Sequence, residues 1–272
     1  MLTVFAYHSS YFSGAAMNIL LTLAYDGTNY AGWQRQDNAV AVQQRLEEAL
    51  SELMTHSVKV TGASRTDAGV HALGQRAAFT AEHMPIPIEK LPQVINSRLP
   101  RDIAVQAAEF VPEDFNPRFM ALAKTYRYQI VNATHPNPLF GRYSAFVPYA
   151  LDIEKMNQAA HCFVGRHDFA ACCAAGSGAK TTERTIFFCQ VKREGPLIHI
   201  SINGDGFLYN MVRIIAGTIV YTGLGKLCPE NIPAILASKD RSKSGKTMPP
   251  EGLTLVEIMY GKNVRNPIVG IN

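Results

Sequence analysis

Apolar and polar positions follow one another along the chain in patterns that predict short strands interspersed with helices. Short apolar runs bounded by polar turns are typical of strands, whereas apolar residues spaced three and four apart are typical of amphipathic helices. Strands are predicted at residues 18–25, 58–60, 76–80, 103–110, 124–131, 186–193, 197–202 and 253–260. Helices are predicted at residues 40–54, 88–99, 153–164, 207–221 and 229–238. Asp152 is expected to cap the third helix, and Asp205 or Gly206 the fourth.

The order of these elements favours the α+β class with largely antiparallel sheets. Strands and helices are mixed in both halves, and neither half repeats the strand–helix–strand rhythm of a doubly wound parallel sheet. A loop with Pro112 and Pro117 marks an expected boundary between an N-terminal α+β domain at 17–113 and a C-terminal α+β domain at 114–272. Residues 1–16 lack the pattern of a packed element and are expected to be a disordered extension, or to precede a translation start at Met17.

The composition restricts the class of protein further. With 272 residues, of which 47% are hydrophobic, the chain can bury a core without a disulfide or metal staple. No run of ~18 consecutive apolar residues occurs, so no membrane span is expected. The five cysteines are odd in number and lack metal-ligand spacing, which fits a reduced, cytoplasmic protein without structural zinc. The net charge of +4 is compatible with a polyanionic partner.

One apparent nucleotide-binding motif lacks a residue that the motif requires. Residues 244–247, with the sequence SGKT, resemble the end of a phosphate-binding loop, but Asp240 occupies the position where that motif requires a glycine. We therefore interpret the stretch as a solvated basic loop.

The segment GASRTDAGVH at 62–71 is a candidate for chemistry. Its glycines and small residues let a ligand approach the backbone closely, and between them lie one cation, Arg65, and one carboxylate, Asp67. Asp67 either forms a local turn with its own backbone or projects from the loop as a reactive carboxylate beside a cationic arm.

Arg213 poses a related problem, because it lies in the apolar run MVRIIA of a predicted helix. A guanidinium cannot lose its proton, so it either reaches water at the helix edge or requires a buried carboxylate partner. Asp67 is the obvious candidate for that partner, and it is expected to be held bidentately.

The predicted strand KTYRYQIV places Tyr126 and Tyr128 on one face and Arg127 on the other. Together with Arg118 and Phe119 just before it, the strand interleaves basic and aromatic residues. Such a surface suits nucleic acid, because cations hold phosphates and rings stack on bases. An ordinary core strand with inward-packing tyrosines would show the same pattern.

Taken together, these stretches resemble the TruA family of tRNA pseudouridine synthases, which act on the anticodon arm. The matching segments are GASRTDAGVHA (62–72), KTYRY (124–128), DGFLYNMVR (205–213), AYDGTNYAGWQRQ (24–36) and GLTLVE (252–257). The resemblance implies conversion of uridine to pseudouridine at positions thirty-eight to forty of the anticodon stem-loop. It also implies a homodimer of two-domain subunits whose sheets flank a basic cleft, and no metal or organic cofactor.

The resemblance also implies roles for individual residues. Asp67 takes the place of the catalytic aspartate and either attacks C1′ of the ribose or removes the C2′ proton. Arg65 helps to extrude the target base and fills the vacated space, Tyr126 stacks on the uracil or moves a proton, and Leu253 forms an apolar wall. An adjacent Arg213 is expected to favour ionisation of Asp67.

Two other classes of function remain open at the level of sequence. A non-catalytic RNA-binding module would share the basic and aromatic strand, although a lone carboxylate in such a cleft repels RNA. A glycosidase usually requires two acids, and no second acid lies near Asp67 in the sequence.

Overall fold

The computed structural model of the chain describes residues 16–84 and 86–261. The predicted N-terminal extension therefore lies outside the described residues except for Ala16. The end of the predicted C-terminal domain, beyond residue 261, also lies outside them.

The described residues form ten strands and five α-helices. The strands are β1 (Met17–Tyr25), β2 (Thr61–Gly62), β3 (His71–Ala81), β4 (Ile103–Val111), β5 (Ala123–Asn132), β6 (Ala145–Val147), β7 (Gly165–Asp168), β8 (Glu183–Glu194), β9 (Leu197–Gly204) and β10 (Leu253–Met259). The helices are α1 (Val42–Met54), α2 (Leu91–Asn96), α3 (Ile153–His161), α4 (Met211–Gly223) and α5 (Ile232–Ser238). Short 3₁₀ turns join several of them, for example at Ile88–Lys90 and Ala170–Cys172.

All ten strands belong to a single sheet, and the predicted α+β class is confirmed. The strand order is β4-β1-β3-β10-β5-β9-β8-β7, with β2 beside β3 and β6 beside β5. Among the described strands, only the pairs β10–β3 and β5–β6 are parallel, and the other neighbours run antiparallel.

Strand β10 connects the two halves of the sheet. Thr254 lies opposite His71 of β3 in parallel register, and Leu255 lies opposite Tyr126 of β5 in antiparallel register. In the strand order, β3 and β5 are therefore neighbours of β10 and not of each other. The last described strand thus places the loop before β3 next to the side chains of β5.

Helix α4 forms the centre of the C-terminal half, where it is buried on nearly all sides and packs against α3 and β5. The segment at 244–248 crosses this helix closely. Ser244 is buried, and the backbone N–H of Gly245 donates to the Thr218 hydroxyl at 2.9 Å. A Cβ on Gly217 would lie 1.9 Å from the Lys246 carbonyl oxygen. The expectation of a solvated basic loop was wrong, because this segment seals one side of α4.

Several element boundaries differ from the prediction. Helix α4 begins at Met211, four residues later than expected, because Asn210 adopts a left-handed backbone with φ of 58°. Neither Asp205 nor Gly206 caps it, since the Asp205 carboxylate instead accepts from the Thr185 N–H. Residues 58–60 form no strand, and the regular helix predicted at 88–99 is confined to α2. The cap at Asp152 is confirmed by its bond from the Lys155 N–H at 3.1 Å.

Candidate active site

Asp67 lies in the hairpin loop that joins β2 to β3. The N–H of Val70 donates to the Asp67 carbonyl at 3.1 Å, and Gly69 between them has φ of +77°, a conformation that favours glycine. The preceding residue is fixed as well, because the Trp33 N–H donates to the Thr66 carbonyl at 3.1 Å. The loop is therefore held by backbone bonds on both sides of the carboxylate.

The Asp67 carboxylate contacts Arg213 from the first turn of α4. Nη1 of Arg213 donates to Oδ2 of Asp67 at 3.3 Å and to Oδ1 of Asn210 at 2.7 Å, while Nε donates to the Met248 carbonyl at 2.7 Å. The Arg213 side chain is only 15% exposed. The pairing of Asp67 with Arg213 expected from the sequence is present, and the Arg213 side chain does not extend to water. The contact is not bidentate, because Nη1 of Arg213 contacts Oδ2 of Asp67 alone. The guanidinium divides its donors among three acceptors.

Two opposing influences act on the proton of Asp67. Burial raises the pKa of the carboxyl, whereas the charge and the hydrogen bond of Arg213 lower it. Burial has the larger effect, so the pKa of Asp67 lies above its ordinary value. The expectation that Arg213 favours ionisation is confirmed, although burial outweighs its influence on the pKa of Asp67.

Tyr126 is buried on β5 with its ring against the loop of Asp67. Its hydroxyl is 2.9 Å from the Ser64 hydroxyl, and its ring meets that of Phe207 edge to face, with centroids 5.2 Å apart. Burial raises the pKa of Tyr126 to about 12, so the hydroxyl keeps its proton at neutral pH. Gln75 fixes Ser64 in turn, because its Nε2 donates to the Ser64 carbonyl at 2.8 Å and its Oε1 accepts from the Ser64 N–H at 3.2 Å.

Sequence reasoning did not identify Ser64 or Gln75. Gln75 is fully buried on β3 and therefore requires polar partners, but its burial could not be recognised from the sequence.

A cleft of about 830 Å³ opens in front of these residues. It is lined by the loop at 62–67, by residues 207–212, by residues 176–180 and by single side chains that include Phe119 and Leu253. Of the five site residues predicted from the sequence, Asp67, Arg65, Tyr126 and Leu253 line the cleft. Arg65 is exposed and Leu253 is buried. Arg213 lies behind Asp67 and supports it from outside the lining.

The charge of the cleft is strongly asymmetric. Five cations line it, namely Arg65, Arg118, Lys124, Lys180 and Arg184. Among the described residues none of these five pairs with a carboxylate, and Asp67 is the one acid among the described residues of the lining. Such a surface favours a polyanion and presents one carboxylate to it.

Aromatic rings at the mouth of the cleft are open to solvent. Phe119 is 80% exposed and Tyr209 is 48% exposed. The Arg118 guanidinium lies 5.8 Å from the centroid of the Phe119 ring. Exposed rings beside unpaired cations can stack on bases while the cations hold phosphates.

The described residues lack two other kinds of feature. Within 16–84 and 86–261, no group of His, Cys, Asp and Glu side chains is arranged to hold a metal ion. No helix among the same residues has the length and apolar character that crossing a membrane requires.

Comparison with known proteins identifies relatives along most of the chain. A family model described as tRNA pseudouridine synthase matches residues 22–120 and 159–261. The tRNA pseudouridine synthase A of Caldicellulosiruptor bescii is 47% identical over 243 residues, which cover 89% of this chain and 99% of that protein. That of Ruminiclostridium cellulolyticum is 48% identical over 243 residues with the same two coverages.

A solved structure of a Cbf5-Nop10-Gar1 complex is similar in part. The alignment covers 91% of this chain and 59% of the chain in that structure. Its TM-score is 0.33 and its sequence identity 11%, a likeness too slight to support an argument. The family match and the two close relatives confirm the resemblance that the sequence motifs indicated. The chain therefore belongs to the tRNA pseudouridine synthase family.

Proposed function

We propose that this protein isomerises uridine to pseudouridine in tRNA, at positions thirty-eight to forty of the anticodon stem-loop. The observation that carries the proposal is the placement of Asp67. Among the described residues of the cleft lining it is the one carboxylate, it is anchored by Arg213, and the other charged residues are cations. Membership of the tRNA pseudouridine synthase family supports both the reaction and the class of substrate.

The reaction exchanges one glycosidic bond for another within the same nucleotide. The N1–C1′ bond breaks, the detached uracil turns, and a C5–C1′ bond forms. C5 then loses its proton, and N1 gains one. The ribose becomes electron-poor at C1′ while the base is detached. The ionised Asp67 carboxylate serves this step either by attacking C1′ or by removing the C2′ proton to give a glycal.

The other cleft residues suit the handling of an extruded base. A stacked uridine must leave its helix before a protein group can reach C1′, which costs a few kcal/mol. We assign Arg65, which is exposed at the cleft, to extruding the base and filling its place. Tyr126 stacks on the uracil with its ring and keeps its hydroxyl on Ser64. Leu253 contributes the apolar wall.

We further propose that the protein acts as a cytoplasmic homodimer of two-domain subunits, with the domain boundary near residues 112–117. Strands β1 to β4 precede this boundary, and β5 to β10 follow it. The charge of a single chain is only +4. Two copies that contact one tRNA would double the positive charge facing it, which strengthens an electrostatic interaction with RNA.

The decisive experiment is to map pseudouridine in tRNA incubated with the purified protein. A pseudouridine-specific chemical adduct blocks primer extension, so a stop at one of the three expected positions reports the product directly. An Asp67→Asn protein serves as the matched control, because its amide has the shape of the carboxylate and lacks its charge. Absence of stops with the wild type, or equal stops with both proteins, would refute the proposal.

A passive RNA-binding module is the second candidate, because the cations and exposed aromatic rings of the cleft would suffice for binding alone. It predicts tight tRNA binding without any stops, and it leaves the half-buried Asp67–Arg213 pair without a use. A glycosidase is disfavoured, since Asp67 is the one acid among the described residues of the cleft and that chemistry usually requires two.

A further inference from the structure

Lys124 differs from the other cations of the cleft in its position. It lies on β5 two residues before Tyr126 and is half-buried, whereas Arg65 is exposed at the cleft. Its Nζ donates to the Ala63 carbonyl at 2.8 Å, which anchors the ammonium beside the loop of Asp67. An ammonium has three N–H donors. The described residues account for one of them, so the other two are available on the cleft side.

Two arginines from different elements share this region with Lys124. Arg118 lies in the segment before β5, and Arg184 lies on β8 with its Nη1 donating to the Thr181 and Glu183 carbonyls. A Cβ on Gly206 would lie 3.4 Å from Nε of Arg184, so the guanidinium lies over the backbone that leads into residues 207–210. Both arginines are close enough to act electrostatically on Lys124.

The remaining neighbours of Lys124 do not neutralise it. Its partner on β9 is Gly204, and its partner on β10 is Ile258, neither of which carries charge. Asp205 follows Gly204, but among the described residues its carboxylate forms no ion pair with Lys124. Three cations therefore converge in the lining of a cleft without a paired carboxylate among the described residues, an arrangement that a bound anion would stabilise.

We propose that Arg118, Lys124 and Arg184 form one subsite for a backbone phosphodiester of the RNA, adjacent to the nucleotide that Asp67 acts on. The subsite rests on the proposed function, because the RNA that it binds is the substrate. A phosphodiester supplies the single negative charge and the acceptor oxygens that the three side chains lack. Because Lys124 is anchored on the Ala63 carbonyl, a phosphodiester bound there lies beside the loop of Asp67 and near Tyr126.

A consequence of this subsite is that Lys124 takes up a proton when the protein binds RNA at a pH above the pKa of that lysine. Burial, together with the charges of Arg118 and Arg184, lowers the pKa of Lys124 to about 8. A bound phosphodiester reverses the electrostatic contribution and raises that pKa. Below the pKa of the free protein Lys124 is already charged, so affinity is independent of this group. Above it, affinity falls as the pH rises, because each complex formed must first protonate the amine.

The salt dependence of tRNA binding tests the phosphate contact. We compare Lys124→Met, which keeps the apolar stem without the charge, with Lys124→Arg and with Lys192→Met. Lys192 is an exposed lysine on β8 that does not line the cleft, so it reports the loss of a charge elsewhere on the same protein. All are made in an Asp67→Asn background, so that the RNA stays unmodified. Melting temperatures confirm that each variant is folded.

We expect Lys124→Met to bind tRNA ~10-fold more weakly or worse. Its slope of log affinity against log salt should be smaller by ~0.7–0.9, the value for one lost phosphate contact. Lys124→Arg should keep the slope, and Lys192→Met should change neither quantity by a comparable amount. A Lys124→Met protein that is folded and has an unchanged slope overturns the subsite.

Calorimetry at about pH 8 in two buffers of different ionisation enthalpy gives an independent test. We expect the Asp67→Asn protein to take up protons on binding tRNA and the additional Lys124→Arg change to abolish that uptake, because an arginine remains charged at this pH. Persistence of the uptake in the Arg variant overturns the assignment to Lys124. Failure of the proposed function has a different signature. RNA would then bind with a Lys124-dependent slope while the wild type formed no pseudouridine.

Discussion

Nη1 of Arg213 donates to Oδ2 of Asp67 across 3.3 Å, although the two residues are 146 positions apart in the chain. The guanidinium does not depend on this contact for its own orientation, because Asn210 and the Met248 carbonyl hold it as well, each at 2.7 Å. The carboxylate therefore meets a cation that is already fixed. Because Arg213 is pre-organised, the Asp67 carboxylate can lie in the cleft beside its cationic partner without having to fix the position of that partner.

Replacing Asp67 by asparagine should abolish isomerisation while tRNA affinity stays close to that of the wild type. The amide can still accept from Arg213, but it can neither attack C1′ nor remove a proton. We expect the melting temperature to change by no more than a few degrees, because burial already disfavours the charged carboxylate in the folded state. Pseudouridine mapping, filter binding and thermal unfolding of the same preparation measure the three quantities. Retained turnover would contradict the assignment.

Arg213→Lys should fold and bind tRNA but lose about 100-fold in turnover, because a small displacement of a reacting group is enough to cost that much. A lysine ammonium cannot reach the acceptors on Met248, Asn210 and Asp67 from one planar group. Single-turnover kinetics measure the loss. A lysine variant with an undiminished rate would show that the guanidinium geometry is irrelevant.

The rate should rise with pH over the range in which Asp67 loses its proton. Both chemical routes require the ionised form, and burial places the pKa of Asp67 above that of an ordinary carboxyl group, so the rise should be centred above the ordinary range. The same raised pKa makes the folded state less stable as the pH increases through it, a dependence that Asp67→Asn should remove. Single-turnover rates and melting temperatures between about pH 4 and about pH 7 test both points. A flat rate profile would contradict the first.

Tyr126→Phe and Tyr126→Ala should separate the ring from the hydroxyl. The phenylalanine keeps its packing against Phe207, so tRNA affinity should persist, whereas alanine removes a stacking surface worth ~1–3 kcal/mol. We expect slower turnover from the phenylalanine variant, because the contact with Ser64 that ties the ring to the loop of Asp67 is lost. Ser64→Ala is the matched control, since it removes the partner alone. Wild-type activity in both Tyr126 variants would exclude a role at the site.

Gly217→Ala should destabilise the protein, although alanine ordinarily stabilises the interior of a helix by ~0.5–1 kcal/mol relative to glycine. The added Cβ would lie 1.9 Å from the Lys246 carbonyl and force the crossing segment outward, at a cost of about 1–3 kcal/mol. The movement also displaces the Met248 carbonyl that holds Arg213, so turnover should fall with stability. Gly141→Ala, where a Cβ meets only ordinary contacts, is the control for both measurements.

The sequence predicted those features that local chemistry determines. The pairing of Asp67 with Arg213 could be predicted because each charge is unfavourable in its own surroundings when it is unpaired. An ion pair compensates both charges. Most strand positions followed from short apolar runs bounded by polar turns, and the cap at Asp152 followed from its side chain. Such inferences need no knowledge of which strands become neighbours.

Features that depend on long-range geometry could not be predicted in this way. The apolar run FLY at 207–209 was predicted as the start of a helix, but the left-handed backbone of Asn210 keeps it out of α4, and it lines the cleft. The hydroxyl bond between Tyr126 and Ser64 requires knowledge that β10 separates β3 from β5. The larger effect of burial on the pKa of Asp67 could not be predicted, because the depth of a loop in the fold has no local signature.

The place of β10 at the centre of the sheet also determines when the protein can first recognise its substrate during its own synthesis. The loop of Asp67 and the strand of Tyr126 are translated well before residue 253, yet in the sheet they are joined only through β10. Domains form as the chain emerges, N-terminal parts first. A nascent chain that ends before β10 therefore carries both halves of the cleft unassembled. We therefore expect the cleft to become competent to bind tRNA only after residues 253–259 have left the ribosome.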